Sequence, residues 1–165
     1  MFSDIDNRDL FEEVVRDRLE FFRGIARRII SNRADADDAL QNALLKAWRM
    51  RLFLRKPERM CGWIARIVVN ESYNILRMRK KNNETSLERQ PEIAACSDGD
   101  FEAEYYRMED AIAALPRIYR ETVHIAILGG LDTNEAAKML GCTPNTLYIR
   151  IHRARNLLRE ALKDE

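Results

Sequence analysis

Along the first thirty residues the apolar positions recur every three or four: Leu10, Val14, Leu19, Phe22, Ile25, Ile29 and Ile30. That period belongs to a helix with one buried face, and it predicts a first amphipathic helix over about 8–31. Asn32-Arg33-Ala34-Asp35 interrupts the pattern. Asp35 is placed to cap a second helix, with Asp37 and Asp38 in its first turn, where carboxylates complement the helix dipole. Leu40, Ala43, Leu44, Ala47 and Trp48 carry that helix on. A basic stretch around Pro57, residues 51–59, reads as loop. A third helix is expected over 61–81, burying Ile64, Ile67, Val68 and Leu76 and exposing arginines.

From 82 to about 101 the periodicity stops, and the polar, turn-rich sequence reads as a flexible linker. Four more helices are expected over 103–114, 117–128, 133–140 and 144–163. Pro116 and Pro144 stand where helices can start, and Thr143 is a good N-cap ahead of a proline in the first helical position. In the last helix Leu147, Ile151, Ala154, Leu158 and Leu162 fall on one stripe. Tyr148, Ile149, His152, Arg153, Asn156 and Arg159 are left to the other faces. The expected class is therefore all-α. Two small helical domains, 1–81 and 103–165, are joined by a linker over 82–102.

Composition agrees with helices. The chain has only 6 Gly and 4 Pro in 165 residues, with 46% hydrophobic and 33% charged residues, a balance that suits amphipathic helices better than sheets or disorder. No apolar run approaches the roughly 20 residues of a membrane span, so no membrane insertion is expected. The N-terminus, Met-Phe-Ser-Asp-Ile-Asp, lacks the basic start and apolar core of a signal peptide. Cys61, Cys96 and Cys142 are scattered and form no CxxC pair, which argues against a disulfide frame or zinc site and for a reducing cytoplasm.

Net charge, +1 in total, hides a pattern. Residues 51–81 hold 9 Lys/Arg against 2 Asp/Glu, whereas 81–106 hold 2 against 7. A basic surface is followed by an acidic spacer, and for a nucleic-acid partner that distribution matters more than the sum. Residues 130–146 read as a short helix, a glycine turn and a capped second helix. The second helix has a basic, aromatic and hydrogen-bonding outer face, the form of a helix-turn-helix whose second helix reads a DNA major groove. Ile149 is an odd apolar residue to leave in water, and a thymine methyl would rationalise it. No catalytic grouping emerges. Of the two histidines, His124 lies in the apolar run 123–128 and is expected to be a packed helix residue. No P-loop or dinucleotide fingerprint is present. No enzymatic activity, cofactor or metal site is expected.

Three stretches, in order and over nearly the whole length, resemble the extracytoplasmic-function (ECF) class of bacterial RNA polymerase sigma factors. Residues 35–48, Asp-Ala-Asp-Asp-Ala-Leu-Gln-Asn-Ala-Leu-Leu-Lys-Ala-Trp, look like the family's core-polymerase-binding helix. Residues 63–77 look like its minus-ten-reading helix, and 115–155 like its minus-thirty-five-reading domain. The resemblance implies a protein that binds the clamp of core RNA polymerase and directs it to promoter DNA, with an anti-sigma factor as a further partner. It implies polymerase contacts at Asp35, Asp38, Gln41, Lys46 and Trp48. For Asp35 and Asp37, helix capping is an equal alternative.

At the minus-ten element the resemblance implies Asn70 and Asn74 as base readers and Arg66, Arg77, Arg79 and Lys80 on phosphates, with Trp63 either stacking on a base or packed in the core. At the minus-thirty-five element it implies Tyr148, Ile149, His152 and Arg153 on bases and Asn145, Thr146, Arg150 and Arg155 on the backbone. Two other readings stay open. A sigma-like decoy that occupies an anti-sigma factor would share the fold, although the basic 51–81 and Arg150, Arg153 and Arg155 favour a working factor. A stand-alone helix-turn-helix regulator would leave the helix beginning near Asp35 without a purpose.

Overall fold

The computed structural model describes residues 4–85 and 99–163, and all regular structure among them is helical. The chain divides into two compact units, Met1–Pro91 and Glu92–Glu165. Residues 86–98, most of the expected linker, lie outside the described residues. Helix nevertheless enters both ends of the stretch read as linker, since the third helix runs on to Thr85 and the fourth begins at Gly99.

The first unit packs three helices against one another: α1 (Asp4–Ile29), α2 (Arg33–Met50) and α3 (Met60–Thr85). Short 3-10 turns, Arg51–Phe53 and Pro57–Arg59, occupy the segment expected as loop. Phe22, Ile25, Ile64 and Val68 are among the fully buried side chains of its core. Burial of each is worth about 1.5–3 kcal/mol relative to exposure. The inward face of α2 is nearly all alanine, at Ala36, Ala39, Ala43 and Ala47 with Leu40 between them. Small side chains at the contact let its neighbours approach closely.

α3 departs from its expected stripe. Ile64, Ala65, Val68, Val69, Ser72 and Tyr73 are buried, while Ile67 and Leu76 are only half-buried. Adjacent pairs repeating every four residues describe a broad buried arc, because α3 packs against both α1 and α2. The start of α2 also differs. Asn32, not Asp35, is the N-cap, accepting the Asp35 N–H at 3.1 Å. The helix begins a turn earlier than Asp35 suggested, and the Asp35 side chain is turned inward instead of toward the helix end.

In the second unit, α4 (Gly99–Ala114) precedes α5 (Arg117–Thr122), which passes directly into a π-helical turn, Val123–Ile127; α6 (Thr133–Met139) and α7 (Pro144–Ala161) follow. Ile112, Leu115, Val123 and Ala154 form a buried cluster with Tyr119, Ile127 and Leu158 packed on it. The expected single helix over 117–128 is thus interrupted: Leu128 N–H donates to Val123 C=O at 2.9 Å, five residues back. Such turns are rare. The chain leaves the turn through Gly129, where an added Cβ would stand 2.2 Å from the Ile125 carbonyl oxygen. Gly129→Ala is therefore expected to lower stability by about 1–3 kcal/mol through forced backbone displacement, measurable as a lower melting temperature of the full chain.

Local bonds set the turn between α6 and α7. Asp132 caps α6 through the N–H groups of Asn134 (2.8 Å) and Glu135 (3.0 Å). At its other end Gly141, at φ 64, donates to Lys138 C=O while Cys142 donates to Ala137 C=O, the pair of bonds of a Schellman motif. Thr143 then accepts the Thr146 N–H at 3.2 Å and Pro144 takes the first position of α7. This is the local chemistry expected from the sequence.

Candidate nucleic-acid interface

α7 has a clear division of faces. Leu147 and Ala154 are buried, and Ile151 and Leu158 half-buried. Tyr148 and Ile149 stand 71% and 48% exposed, and His152, Arg153 and Arg155 are also exposed. Arg150 is half-buried, at the border of the two faces. In the first turn Asn145 is exposed, while the Thr146 hydroxyl lies 2.9 Å from that of Thr143. The structure thus brings together on one surface an aromatic ring, an aliphatic side chain, an imidazole and guanidinium groups. Hydrogen-bonding and apolar groups side by side are what base edges and thymine methyls require. Asn156 and Arg159 extend this surface: Asn156 Nδ2 lies 3.4 Å from His152 Nδ1, and Arg159 Nη1 is 3.2 Å from Asn156 Oδ1.

In the first unit, Trp63, Arg66, Asn70, Asn74 and Arg77 follow one another at steps of three and four residues, so they share one face of α3. All but Arg77 are half-buried, and Arg77 is exposed. The two amides are already engaged. Asn70 Nδ2 donates to the Arg66 carbonyl at 2.7 Å. Asn74 Oδ1 accepts from Arg77, and its Nδ2 lies 3.4 Å from Glu71 Oε1. Glu71 also takes Lys46 Nζ at 2.7 Å. Lys80 is exposed on another face. Arg79 is drawn away from the stripe: it forms an ion pair with Asp35, whose side chain is 9% exposed against 58% for Arg79.

Among the residues expected at the polymerase, Asp38 and Gln41 lie exposed on α2, one turn apart. Leu45, the next residue along that face, is also exposed. Asp35 is buried against Arg79 and Lys46 is paired with Glu71, so both link helices within the unit. Trp48 is half-buried, its ring 5.3 Å from Phe11 in an edge-on arrangement, with the Arg51 guanidinium 3.7 Å from the ring centroid. Sequence reasoning assigns Leu52 and Phe53 no role beyond loop, yet Phe53 is 81% exposed beside the exposed Arg55 and Lys56. An aromatic residue among arginines in a non-periodic segment was the available signal. His124 is buried, as its apolar surroundings suggested. Among the described residues no three His, Cys, Asp or Glu groups are placed to hold a metal ion, and no helix is long and apolar enough to cross a membrane.

A helix-turn-helix with a basic, aromatic outer face, in a chain that also carries a three-helix unit with an arginine- and amide-bearing stripe, has the form of a nucleic-acid-binding protein. Comparison with known proteins agrees for each part. Residues 14–82 match the sigma-70 region 2 family and residues 105–158 the sigma-70 region 4 family. The chain is 30% identical to the ECF RNA polymerase sigma factor SigM of Mycobacterium tuberculosis, over 94% of its own length and 79% of that protein's. It is 27% identical to the RNA polymerase sigma factor SigV of Bacillus subtilis, over 92% and 90%. It is also 27% identical to the ECF sigma factor SigE of Mycolicibacterium smegmatis, of which it spans 61%. The sigma factor RpoE of Bartonella quintana, solved with the anti-sigma factor NepR, superposes with a TM-score of 0.55 at 26% identity, over 94% of this chain and 98% of that one. The chain belongs to the ECF class of the sigma-70 family of RNA polymerase sigma factors.

Proposed function

We propose that this chain joins core RNA polymerase and directs it to start transcription at specific promoters. The division of α7 into a buried stripe and an exposed base-compatible face carries the reading. In this proposal Asp38 and Gln41 on α2 contact the polymerase clamp. The face of α3 from Trp63 to Arg77 engages the minus-ten element as it opens, with Arg66, Arg77 and Lys80 on phosphates. Asn70 and Asn74 would have to exchange their internal hydrogen bonds for base edges. Tyr148, Ile149, His152 and Arg153 read the minus-thirty-five element, with Asn145, Thr146, Arg150 and Arg155 on the backbone. The domain assignment is residues 1–81 for the first task and 103–165 for the last, joined by 82–102.

The chain supplies recognition and the polymerase supplies catalysis, so no enzymatic activity of its own is proposed. Its place is the cytoplasm with the polymerase. An anti-sigma factor is proposed as a further partner, supported by the complex in which its structural relative was solved.

Run-off transcription with purified bacterial core polymerase, with and without this protein, on genomic fragments tests the reading. Protein-dependent transcripts with defined starts are expected. Absence of any core binding overturns the proposal and brings the decoy and the stand-alone regulator forward, whereas stable core binding without transcripts points to a promoter missing from the fragments or an incompatible polymerase.

A further inference from the structure

On the outer face of α7, His152, Asn156 and Arg159 form a hydrogen-bonded run, and the roles above leave Asn156 and Arg159 unused. Their spacings of four and three residues place them along one ridge of the helix. The chemistry fixes the direction of each bond. A guanidinium has only donors, so Arg159 Nη1, 3.2 Å away, must meet the Asn156 amide through its oxygen. That turns the amide NH2 toward His152 Nδ1 at 3.4 Å, and an NH2 group can only donate. In this arrangement Nδ1 is the acceptor, and the ring N–H that faces outward is Nε2–H.

We infer that Asn156, oriented by Arg159, is a positioning residue for promoter specificity: it holds His152 as the Nε2–H tautomer, which selects a base with an acceptor edge. Guanine offers O6 and N7 in the major groove and thymine offers O4, whereas cytosine offers only its amino donor. A ring free to exchange tautomers discriminates poorly, because it can meet either kind of edge. This rests on the proposal that His152 faces a base. It adds that the sign of the preference is set four residues away, by a side chain that need not touch DNA.

The test is transcription by core polymerase with the full chain from a promoter library randomised through the minus-thirty-five element. It compares the natural chain with H152A, N156A and N156D. The natural chain should favour guanine or thymine over cytosine at one position by roughly fivefold, the scale of one net hydrogen bond. H152A should flatten that position and N156A should broaden it. In N156D the introduced carboxylate can only accept, so it favours the tautomer with the ring proton on Nδ1, hydrogen-bonded to it, and leaves Nε2 as an acceptor; the preference should then move to adenine or cytosine, whose amino groups donate. A loss of folding would lower transcription from every template without reordering bases at one position. If H152A flattens the position while N156A and N156D keep the natural order, the tautomer inference is overturned and His152 remains a reader. If H152A changes no position, His152 does not read a base and both statements fall.

Discussion

Arg79→Ala should destabilise the first unit by about 3 kcal/mol, more than Asp35→Ala at the other end of the same ion pair. The asymmetry comes from burial. The Asp35 side chain is 9% exposed and Arg79 58%. Removing the arginine strands a carboxylate away from water, and breaking a buried pair in that way costs about 3–5 kcal/mol. The low end applies because one partner is largely solvated. Removing the aspartate leaves a guanidinium that water can hydrate, so the loss is nearer the 1.5–3 kcal/mol of a hydrogen bond to a charged group. The double variant should recover part of what Arg79→Ala loses. Urea unfolding of the three variants checks this, and equal costs for the two single substitutions would sink the argument. The same series is the control for any effect of Arg79 on transcription, since a phosphate contact and a helix-to-helix tie are otherwise confounded.

Reversing the charge at Asp38 should weaken binding to core polymerase by about 2 kcal/mol, roughly thirtyfold, and leave the fold intact. Asp38 is exposed and belongs to none of the ion pairs between described residues. Exposed substitutions away from such features usually change stability by less than about 0.5 kcal/mol. A carboxylate offered to a partner calls for a cation across the interface, so Asp38→Arg would add repulsion to the lost attraction. Affinity of the full chain for core polymerase, measured beside its melting temperature, separates the two effects. Undiminished affinity removes Asp38 from the interface.

Local chemistry made much of this fold legible in the sequence. Thr143 and Pro144 start α7 as their residue types require, and the stripe of Leu147, Ile151, Ala154 and Leu158 faces inward as its spacing requires. Pairings between distant residues were not legible. Asp35 reads as a cap because Asp is a cap residue, and only the fold brings it to Arg79, 44 residues on. Asn32 could already do the capping, so the carboxylate was free to turn inward. The buried arc of α3 is broader than one stripe because two helices cover it, a fact about neighbours that no single-helix period contains. The π turn was hidden for a related reason: apolar spacing over 117–128 fits an ordinary helix, and only the bare Cα of Gly129 against the Ile125 carbonyl marks the change. Of the candidate site, the surface of α7 was readable, whereas the internal bonds of Asn70, Asn74 and Lys46 were not.

The alanine-lined inner face of α2 bears on how such a chain can diverge. Ala36, Ala39, Ala43 and Ala47 leave little freedom to their positions, because any larger side chain would push the neighbouring helices apart. The fold demands nothing of Asp38 and Gln41 on the outer surface of the same helix. Under the proposed polymerase contact at Asp38 and Gln41, lineages can therefore change partner preference one exposed residue at a time without passing through unstable intermediates, while the inner positions stay locked by volume.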